Sequence, residues 1–264
     1  MIIDFHTHCF PDALAPRAMA SLKKNSGIYY TSHDGTAGSL EESIAFSGAD
    51  RAVVLNIATN PHQQKNVNDF TISLLGRERL IPFGSVHPDS PDVFTELERL
   101  KAAGIKGIKF HPEYQQFEAD AEKMLPVYDK IGELGLITVF HSGFDIGYPP
   151  PYHCTPEKLR KALPYFKGAP VVAAHLGGIT ELEQTLEYLC GTEIYLDTAF
   201  ICGAVPPYLT AKIISAHGAD KILLGSDAPW VGTAQSIAYM DALDLDDGDK
   251  AKILGGNAER ILGL

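Results

Sequence analysis

The sequence has few cysteines and no long apolar run. Its four cysteines, in 264 residues, include no pair with CxxC spacing. A chain of this length can bury a sufficient core without disulfides, so we expect reduced thiols and exclude a small disulfide-stapled domain. No run approaches the ~18 apolar residues of a membrane span, and the N-terminus lacks the basic and apolar regions of a signal peptide. These absences predict a cytoplasmic protein without a membrane partner.

Positive charge is also scarce. Lys and Arg number 22 against 33 Asp and Glu, which gives a net charge of -11. This balance argues against nucleic acid or an anionic membrane surface as the main partner. It leaves room for an anionic small molecule, because a bound divalent cation sets the local field. We therefore expect a small-molecule substrate and no nucleic-acid partner.

Several catalytic motifs are missing as well. The sequence contains no GxSxG nucleophile elbow, no glycine-rich phosphate loop ending in GKS or GKT, no GxGxxG fingerprint and no HExxH motif. Their absence argues against an elbow-type serine hydrolase, a P-loop enzyme, a dinucleotide-binding domain and a helical zinc protease.

The apolar residues that are present, 45% of the chain, recur in short runs. The runs cover residues 2–5, 51–58, 81–86, 105–110, 136–141, 171–175, 194–197 and 222–227. Patterns typical of helices lie between them, at 39–47, 91–103, 120–134, 156–163, 179–189, 207–217, 233–243 and 249–262. The helix at 39–47 has Ser39 as its predicted N-cap, with Glu42 completing a capping box.

This alternation predicts one α/β domain spanning residues 1–264, a (β/α)8 TIM barrel of the metal-dependent hydrolase type. A doubly wound open sheet is the alternative. We prefer the barrel because reactive side chains follow at least five of the runs, and a closed barrel brings that many strand ends together. Segments 25–38 and 142–155 are predicted as loops over that end of the barrel.

Two histidines and a distant aspartate form the first candidate metal site. His6 and His8 stand two residues apart at the end of the first run, so a strand points them to the same face. Paired neutral imidazoles are ligands for borderline divalent metals. Asp227 ends the eighth run, where a buried carboxylate is costly unless it is paired or bound to metal. Its alternative role is to cap the following helix.

Other strand-end residues complete the candidate site. His141 ends the fifth run and is predicted as a third histidine ligand. His175 ends the sixth, and its role stays open between metal ligand and catalytic imidazole. Lys109 and His111 are candidate substrate-binding residues, although a carbamylated bridging lysine, a second metal or a structural contact are alternatives. Asp197 is expected to orient a neighbouring ligand.

Six segments give the chain a family resemblance. They are Asp-Phe-His-Thr-His at 4–8, Gly-Ile-Lys-Phe-His-Pro at 107–112, Phe-His-Ser-Gly at 140–143, Ala-His-Leu-Gly-Gly at 174–178, Leu-Gly-Ser-Asp-Ala-Pro at 224–229 and Gly-Asn-Ala-Glu-Arg-Ile-Leu at 256–262. In this order they resemble the amidohydrolase superfamily, and within it the amidohydrolase-related (amidohydrolase 2) group that includes aminocarboxymuconate-semialdehyde decarboxylase.

The resemblance implies a barrel that holds one divalent metal ion, usually zinc. It assigns His6, His8, His141 and Asp227 as the ligands and places His175 beside the metal. Manganese, iron and magnesium are alternatives to zinc, because mixed nitrogen and oxygen ligands accept several ions. A homodimer is expected only because homodimers are the commonest oligomers of soluble proteins.

The same ligand set fits two reactions. The one we expect is hydrolysis of an amide, ester or lactone by metal-activated water, with Asp227 carrying the proton and His175 stabilising the oxyanion. Lys109 or His111 would then hold a substrate carboxylate. The alternative is non-oxidative decarboxylation of a small unsaturated or aromatic acid, and the ligands do not separate the two reactions. A non-catalytic metal-binding protein is a third hypothesis.

Overall fold

Eight short parallel strands form the centre of the computed structural model, which describes residues 1–264. The strands are β1 (Ile3–Thr7), β2 (Arg51–Leu55), β3 (Leu80–Phe83), β4 (Gly107–Phe110), β5 (Ile137–Phe140), β6 (Val171–Ala173), β7 (Tyr195–Asp197) and β8 (Ile222–Leu223). Nearly every strand residue is buried, as expected for strands covered on both faces.

The strands close into a barrel. Strands β1 to β3 pair in order, as do β4 to β8. Isolated bridges join the two groups at both seams, from Gly84 to Ile108 and from Thr7 to Ala228. At the first seam the backbone N–H of Lys109 donates to the carbonyl of Gly84 at 2.7 Å. The predicted (β/α)8 barrel is therefore confirmed, and the open-sheet alternative is wrong.

Helices surround the barrel. They are α1 (Ala15–Ser26), α2 (Ala37–Ser47), α3 (Gln64–Ser73), α4 (Val93–Ala102), α5 (Pro112–Gln115), α6 (Leu125–Leu134), α7 (Pro156–Ala162), α8 (Leu182–Gln184), α9 (Pro207–His217), α10 (Thr233–Asp241), α11 (Asp247–Ala251) and α12 (Asn257–Leu262). Short π-helical turns at Thr185–Leu189 and Lys252–Gly256 continue α8 and α11. None of the helices has the length and apolarity needed to cross a membrane.

Alternate strand residues fill two parts of the core. One cluster inside the barrel takes Ile137 and Val139 from β5 together with their equivalents on neighbouring strands, and Leu262 of α12 packs against it. The larger cluster between strands and helices takes the residues of opposite parity, such as Phe140. The apolar cluster inside the barrel leaves the other end, where the strands finish, for polar side chains.

Three local predictions need correction. Helices α1 and α3 were not predicted, and α1 occupies the start of the segment expected to be a loop at 25–38. Helix α2 begins at Ala37 and is capped by Thr36, whose hydroxyl accepts the N–H of Ser39 at 3.2 Å. Ser39 is therefore inside the helix and is not its cap. Residues 142–155 contain no helix or strand, as predicted.

Candidate metal centre and active site

A cavity of about 660 Å³ opens where the strands end. Its walls include all of the predicted metal-site residues, and Trp230, the one tryptophan of the chain, lies beside them. A smaller lobe of about 100 Å³ adjoins it and includes His175. Asp227, His141 and Trp230 line both spaces, so the two lobes belong to one cleft.

An irregularity in β1 aims its histidines into this cleft. Asp4 pairs with Ala52 and Thr7 with Val54, so β1 has one residue more than β2 between these two pairs. Such a bulge changes which side chains face inward. Asp4 consequently points away from the barrel axis, whereas His6 and the following His8 point into the cavity.

Neighbouring acceptors determine where each imidazole carries its proton. Nδ1 of His6 lies 2.8 Å from Oδ2 of Asp197, and Nδ1 of His8 lies 2.9 Å from the carbonyl of Leu55. Both partners only accept, so Nδ1 must be the donor in each ring. In the neutral rings Nε2 is therefore an unprotonated lone pair that faces the cavity. The orienting role predicted for Asp197 matches its contact with His6.

Asp227 supplies a third lone pair to the same point. Its backbone adopts φ 70°, a left-handed conformation held by an N–H bond of 2.9 Å to the carbonyl of His6. Oδ1 of Asp227 then lies 3.1 Å from Nε2 of His8 and 3.4 Å from Nε2 of His6. Three acceptors facing one another repel unless a positive charge lies between them.

These three residues fit a divalent metal ion. Their ligand atoms all lie within 4.8 Å of one another. Two ligands of a tetrahedral ion with bonds of about 2.05 Å are about 3.3 Å apart, close to the separations observed here. We call His6, His8 and Asp227 the metal triad. Burial, together with the nearby charge of Lys109, lowers the pKa of His6 well below its usual value, which keeps the ring neutral for binding.

Asp227 is ionised despite its burial. Burial on its own would raise the pKa of Asp227, but its contacts with His8 and His6 outweigh it when those rings are protonated, and a metal ion held by their lone pairs would act in the same direction. The net result is a pKa well below the usual value. The carboxylate is therefore available as a ligand and as a proton acceptor.

Asp4 holds the loop that carries Asp227, and sequence analysis did not identify it. Oδ1 of Asp4 accepts the N–H groups of His6 and Ser226 at 3.1 and 3.0 Å. Oδ2 accepts the hydroxyls of Ser226 and Thr233 at 2.5 and 2.6 Å. Burial, partly offset by these bonds, raises the pKa of Asp4 to about 6. A carboxylate inside an otherwise apolar strand was the available signal, because such a group needs partners.

His141 and His175 lie beside the metal triad and contact each other. Nδ1 of His175 donates to the carbonyl of Ala199 at 3.0 Å, and its Nε2 lies 3.1 Å from Nδ1 of His141. The ring centroids of His175 and His6 are 5.2 Å apart. The structure groups the nitrogens of His141 with His111 and Asp145 instead of the metal triad. His141 as a fourth ligand stays a prediction.

The second group of metal-binding residue types, His111, His141 and Asp145, fits an ion less well. Nδ1 of His111 accepts the N–H of Tyr114 at 3.4 Å, so a neutral ring carries its proton on Nε2. That Nε2 lies 3.4 Å from Oδ2 of Asp145, within ion-pair distance. In this tautomer the lone pair of Nδ1 is used by Tyr114 and Nε2 carries the proton, so a neutral His111 has no free lone pair for a metal. Asp145 lies in a loop, and no pattern in the sequence identified it.

His111 serves a packing role at the same time. Its ring is stacked on that of His141, with centroids 4.0 Å apart, and on that of Tyr114 at 3.7 Å. This stack forms one wall of the cavity. Burial and the charge of Lys109 lower the pKa of His111, so the stacked ring is neutral.

Lys109 extends from β4 to the inner end of the cavity. Its side chain is 1% exposed, and its Nζ lies 3.3 Å from Nε2 of His6. Burial lowers the pKa of Lys109 to about 8, while Asp197 and Asp227 act in the opposite direction. The ammonium is therefore mostly protonated near neutral pH.

Comparison with known proteins identifies the family. The amidohydrolase family model matches residues 3–264, so the chain belongs to that family. The resemblance noted in the sequence is thereby confirmed, and the protein is an enzyme of the amidohydrolase superfamily with a candidate divalent-metal site. No curated protein sequence matches the chain.

Three solved structures illustrate the likeness in fold. An uncharacterised TIM-barrel protein from Bordetella bronchiseptica has a TM-score of 0.80 at 18% identity, covering 99% of this chain and 98% of its own. The 5-carboxyvanillate decarboxylase from Sphingomonas paucimobilis has a TM-score of 0.70 at 14% identity, covering 100% and 99%. A dihydroxybenzoic acid decarboxylase from a Polaromonas species, with bound manganese and the inhibitor 2-nitroresorcinol, has a TM-score of 0.73 at 14% identity, covering 100% and 97%.

Proposed function

We propose that the protein is a metal-dependent, non-oxidative decarboxylase of a small hydroxylated aromatic acid. This is the reaction that sequence analysis held as the alternative to hydrolysis. Similar structures of known activity include the 5-carboxyvanillate and dihydroxybenzoic acid decarboxylases, which supports the change of preference. At their low identities the likeness concerns the fold alone, and the residues of the site support the reaction.

The observation that carries the proposal is the buried ammonium group of Lys109, which lacks hydrogen-bond acceptors. Its only hydrogen-bond partner is Nε2 of His6. Once that lone pair binds a metal, the buried ammonium has no acceptor left in the protein, which is costly. A substrate carboxylate would supply the acceptor. Bound there, the carboxylate lies next to the metal triad, so the carboxylate itself is the group placed to react.

The shape of the cavity supports an aromatic acid. Phe10, Phe70, Tyr114 and Trp230 contribute ring surface to its walls. Flat apolar walls with a few polar groups at one end suit a planar ring that carries its polar substituents on one edge. We therefore infer a ring with a hydroxyl beside the carboxylate.

Asp227 is the proton carrier in this proposal. Its depressed pKa makes it a carboxylate at neutral pH, so it must first take the proton that it delivers. It accepts the proton of the substrate hydroxyl and passes it to the ring carbon that bears the carboxylate. The bond from that carbon to the carboxylate then breaks, carbon dioxide leaves, and the electron pair restores the aromatic ring as a phenolate. Solvent returns one proton to the phenolate, so one proton is consumed for each carbon dioxide released.

The other residues position these groups. A divalent ion on the metal triad would supply positive charge that stabilises the phenolate and the carboxylate. We expect manganese or zinc, since two imidazoles and a carboxylate accept either ion. Asp197 fixes the ring of His6, and His175, held by Ala199 and His141, lies beside that ring.

The test compares carbon dioxide release with hydrolysis. Protein loaded with manganese or zinc is incubated with 2,6-dihydroxybenzoate, 5-carboxyvanillate and related hydroxy acids, and in parallel with esters, lactones and amides. We expect decarboxylated products from at least one hydroxy acid. The Asp227→Asn variant should lose this activity by more than about 10³-fold, because the general acid–base group is removed. The exposed Asp244→Asn variant is the matched control and should keep it. Hydrolysis of an ester or lactone without any decarboxylation would refute the proposal and restore the first hypothesis.

A further inference from the structure

Helix α1 presents apolar side chains to the cavity in addition to those that it buries. Ala15 and Met19, four residues apart, are buried against the protein. Leu14, Ala18 and Leu22 repeat at the same spacing on an adjacent face and line the cavity, where they are partly or largely exposed. Because residues four apart share one face of a helix, this second face is a continuous apolar stripe. This second face lines the open cavity and does not pack against the core.

Helix α3 lines the same cavity with a similar apolar stripe. Gln64 and Asn68 are buried on the side of α3 that contacts the barrel. Val67 and Phe70 are only partly buried and line the cavity, together with Asn66. The two helices thus line a common apolar part of the cavity, which we call the groove between α1 and α3. Apolar side chains that line a cavity and stay partly exposed are typical of ligand sites.

Ionic groups are confined to the inner end of the cavity. Apart from histidines, the charged residues that line it are Lys109, Asp145 and Asp227. Arg17 and Lys23 of α1 are not part of its lining. The groove between α1 and α3 therefore offers no charged partner to a second carboxylate or to an amine.

We infer that the substrate carries an uncharged, mainly apolar arm, about the size of one further ring, which lies in the groove between α1 and α3. This inference rests on the proposed function, because the reacting acid is placed at the metal triad. The volume of about 660 Å³ exceeds the need of a one-ring acid and falls within the range of larger organic ligands. A one-ring acid at the inner end would leave the stripes of both helices in contact with water.

Two amide side chains offer neutral hydrogen-bonding groups to the arm. Gln63 and Asn66 line the groove, and both carry neutral side chains. Oε1 of Gln63 accepts the hydroxyl of Thr59 at 2.8 Å, which leaves its amide N–H groups for a ligand. The side chain of Asn66 has no hydrogen-bond partner in the protein. Both residues are exposed, so their amides can hydrogen-bond a neutral carbonyl, ether or hydroxyl on the arm.

Binding of substrate mimics that cannot react tests the arm. Manganese-loaded protein is titrated by calorimetry with 2-nitrophenol, in which a nitro group replaces the carboxylate, and with its 4-phenyl and 5-phenyl derivatives. The better phenyl derivative should bind about tenfold more tightly than 2-nitrophenol, as expected for partial burial of one ring. The corresponding carboxyphenyl compound should show no gain, because the groove has no cation to receive its charge.

A matched pair of variants locates the arm. Ala18→Asp puts a charge into the apolar stripe of α1 and should reduce the phenyl gain to less than about threefold. Ala20→Asp puts the same charge on an exposed position of the same helix that does not line the cavity, and should keep the full gain. Equal gains in the two variants would overturn the placement of the arm.

The outcomes separate this inference from the proposed function. A phenyl gain without decarboxylation of any acid would refute the proposed function and support the groove. Decarboxylation without a phenyl gain would do the reverse. Equal affinity for the phenyl and carboxyphenyl compounds, or no binding of either phenyl derivative, would overturn the inference.

Discussion

Replacing Asp197 by asparagine tests how the metal triad is assembled. Oδ1 of Asp197 accepts the backbone N–H groups of His175 and Ala199 at 2.8 and 3.0 Å. An asparagine must keep its one oxygen towards these two donors, which leaves its NH2 group facing Nδ1 of His6. That nitrogen would have to become an acceptor, so the proton of the ring would move to Nε2 and block the metal-binding lone pair.

The contacts of Asp197 determine how much metal affinity the substitution should remove. The bond between His6 and Asp197 is 2.8 Å long, fully buried and assisted by charge. Loss of such a bond costs about 1.5–3 kcal/mol, and loss of a carboxylate that orients a metal-bound histidine weakens metal affinity by about 10–100-fold. The two figures agree, because a tenfold change in affinity corresponds to about 1.4 kcal/mol of binding free energy. We therefore expect Asp197→Asn to raise the Kd for zinc by about 10–100-fold.

Competition with a chromophoric chelator measures this Kd. Asp244→Asn is the control for a change of charge outside the cavity, and thermal unfolding of both variants checks that the fold is retained. A folded Asp197→Asn protein whose zinc affinity stays within about twofold of the parent would show that the tautomer argument is wrong.

Three further predictions concern substrate binding and stability. Lys109→Met should raise KM for a hydroxy acid by about 10–100-fold in steady-state kinetics while zinc affinity stays within a few fold, because a buried charge partner of the carboxylate is lost. Burial lowers the pKa of His33 to about 4 from 6.5, so the unfolded chain binds a proton that the folded protein rejects. The contribution of His33 to the free energy of unfolding is present above pH 6.5 and is lost as pH falls towards 4, by up to about 3 kcal/mol. Urea unfolding across this pH range should show a smaller loss in His33→Asn than in the parent. Gly255→Ala places a Cβ 1.8 Å from the backbone oxygen of Met1 and should lower the free energy of unfolding by at least about 2 kcal/mol, whereas Gly256→Ala, in open helical backbone, should change it by less than about 1 kcal/mol.

Each of these predictions has a contrary outcome. An unchanged KM in Lys109→Met would remove the argument that the lysine holds a carboxylate. Parallel pH profiles of parent and His33→Asn would show that this histidine does not contribute to acid sensitivity. Equal unfolding free energies for the two alanine variants would contradict the close approach of Gly255 to the backbone of Met1.

The rhythm of apolar runs was sufficient to predict the barrel, because strands buried on both faces are continuous in hydrophobicity. The bulge in β1 was not visible, since it depends on how Asp4 and Thr7 pair with β2. The i, i+2 spacing of His6 and His8 still placed them on one face, because the two rings follow the point where the register changes. Pairing between strands is a long-range property that no local pattern contains.

Helices α1 and α3 were missed because their sequences are polar overall, with few large apolar side chains. The buried face of α3 carries polar Gln64, Asn68 and Thr71. The small side chains of Ala15 and Ala18 give α1 a weak signal. These helices line the groove in which we place the arm of the substrate. Their apolar residues are divided between the core and the cavity, so neither face carries the broad apolar stripe of a helix packed only on the core.

The direction of each lone pair in the site also lay beyond the sequence. Asp197 and Leu55 fix the protons of His6 and His8 from distant strands. The same holds for His141, whose ring contacts His175 and lies near Asp145, a loop residue. Sequence patterns identify residue types at strand ends, whereas the tautomers depend on contacts made only in the folded barrel.

The most direct test of the proposed decarboxylation follows the carboxyl carbon of the substrate. Manganese-loaded protein is mixed in D2O with carboxyl-13C hydroxybenzoates, including 2,6-dihydroxybenzoate and phenyl-substituted salicylates, and followed by NMR. We predict that the label appears as carbon dioxide and bicarbonate, and that the ring carbon which carried it gains one deuterium. Retention of the label in every acid, while an ester or lactone is hydrolysed by the same preparation, would contradict the account.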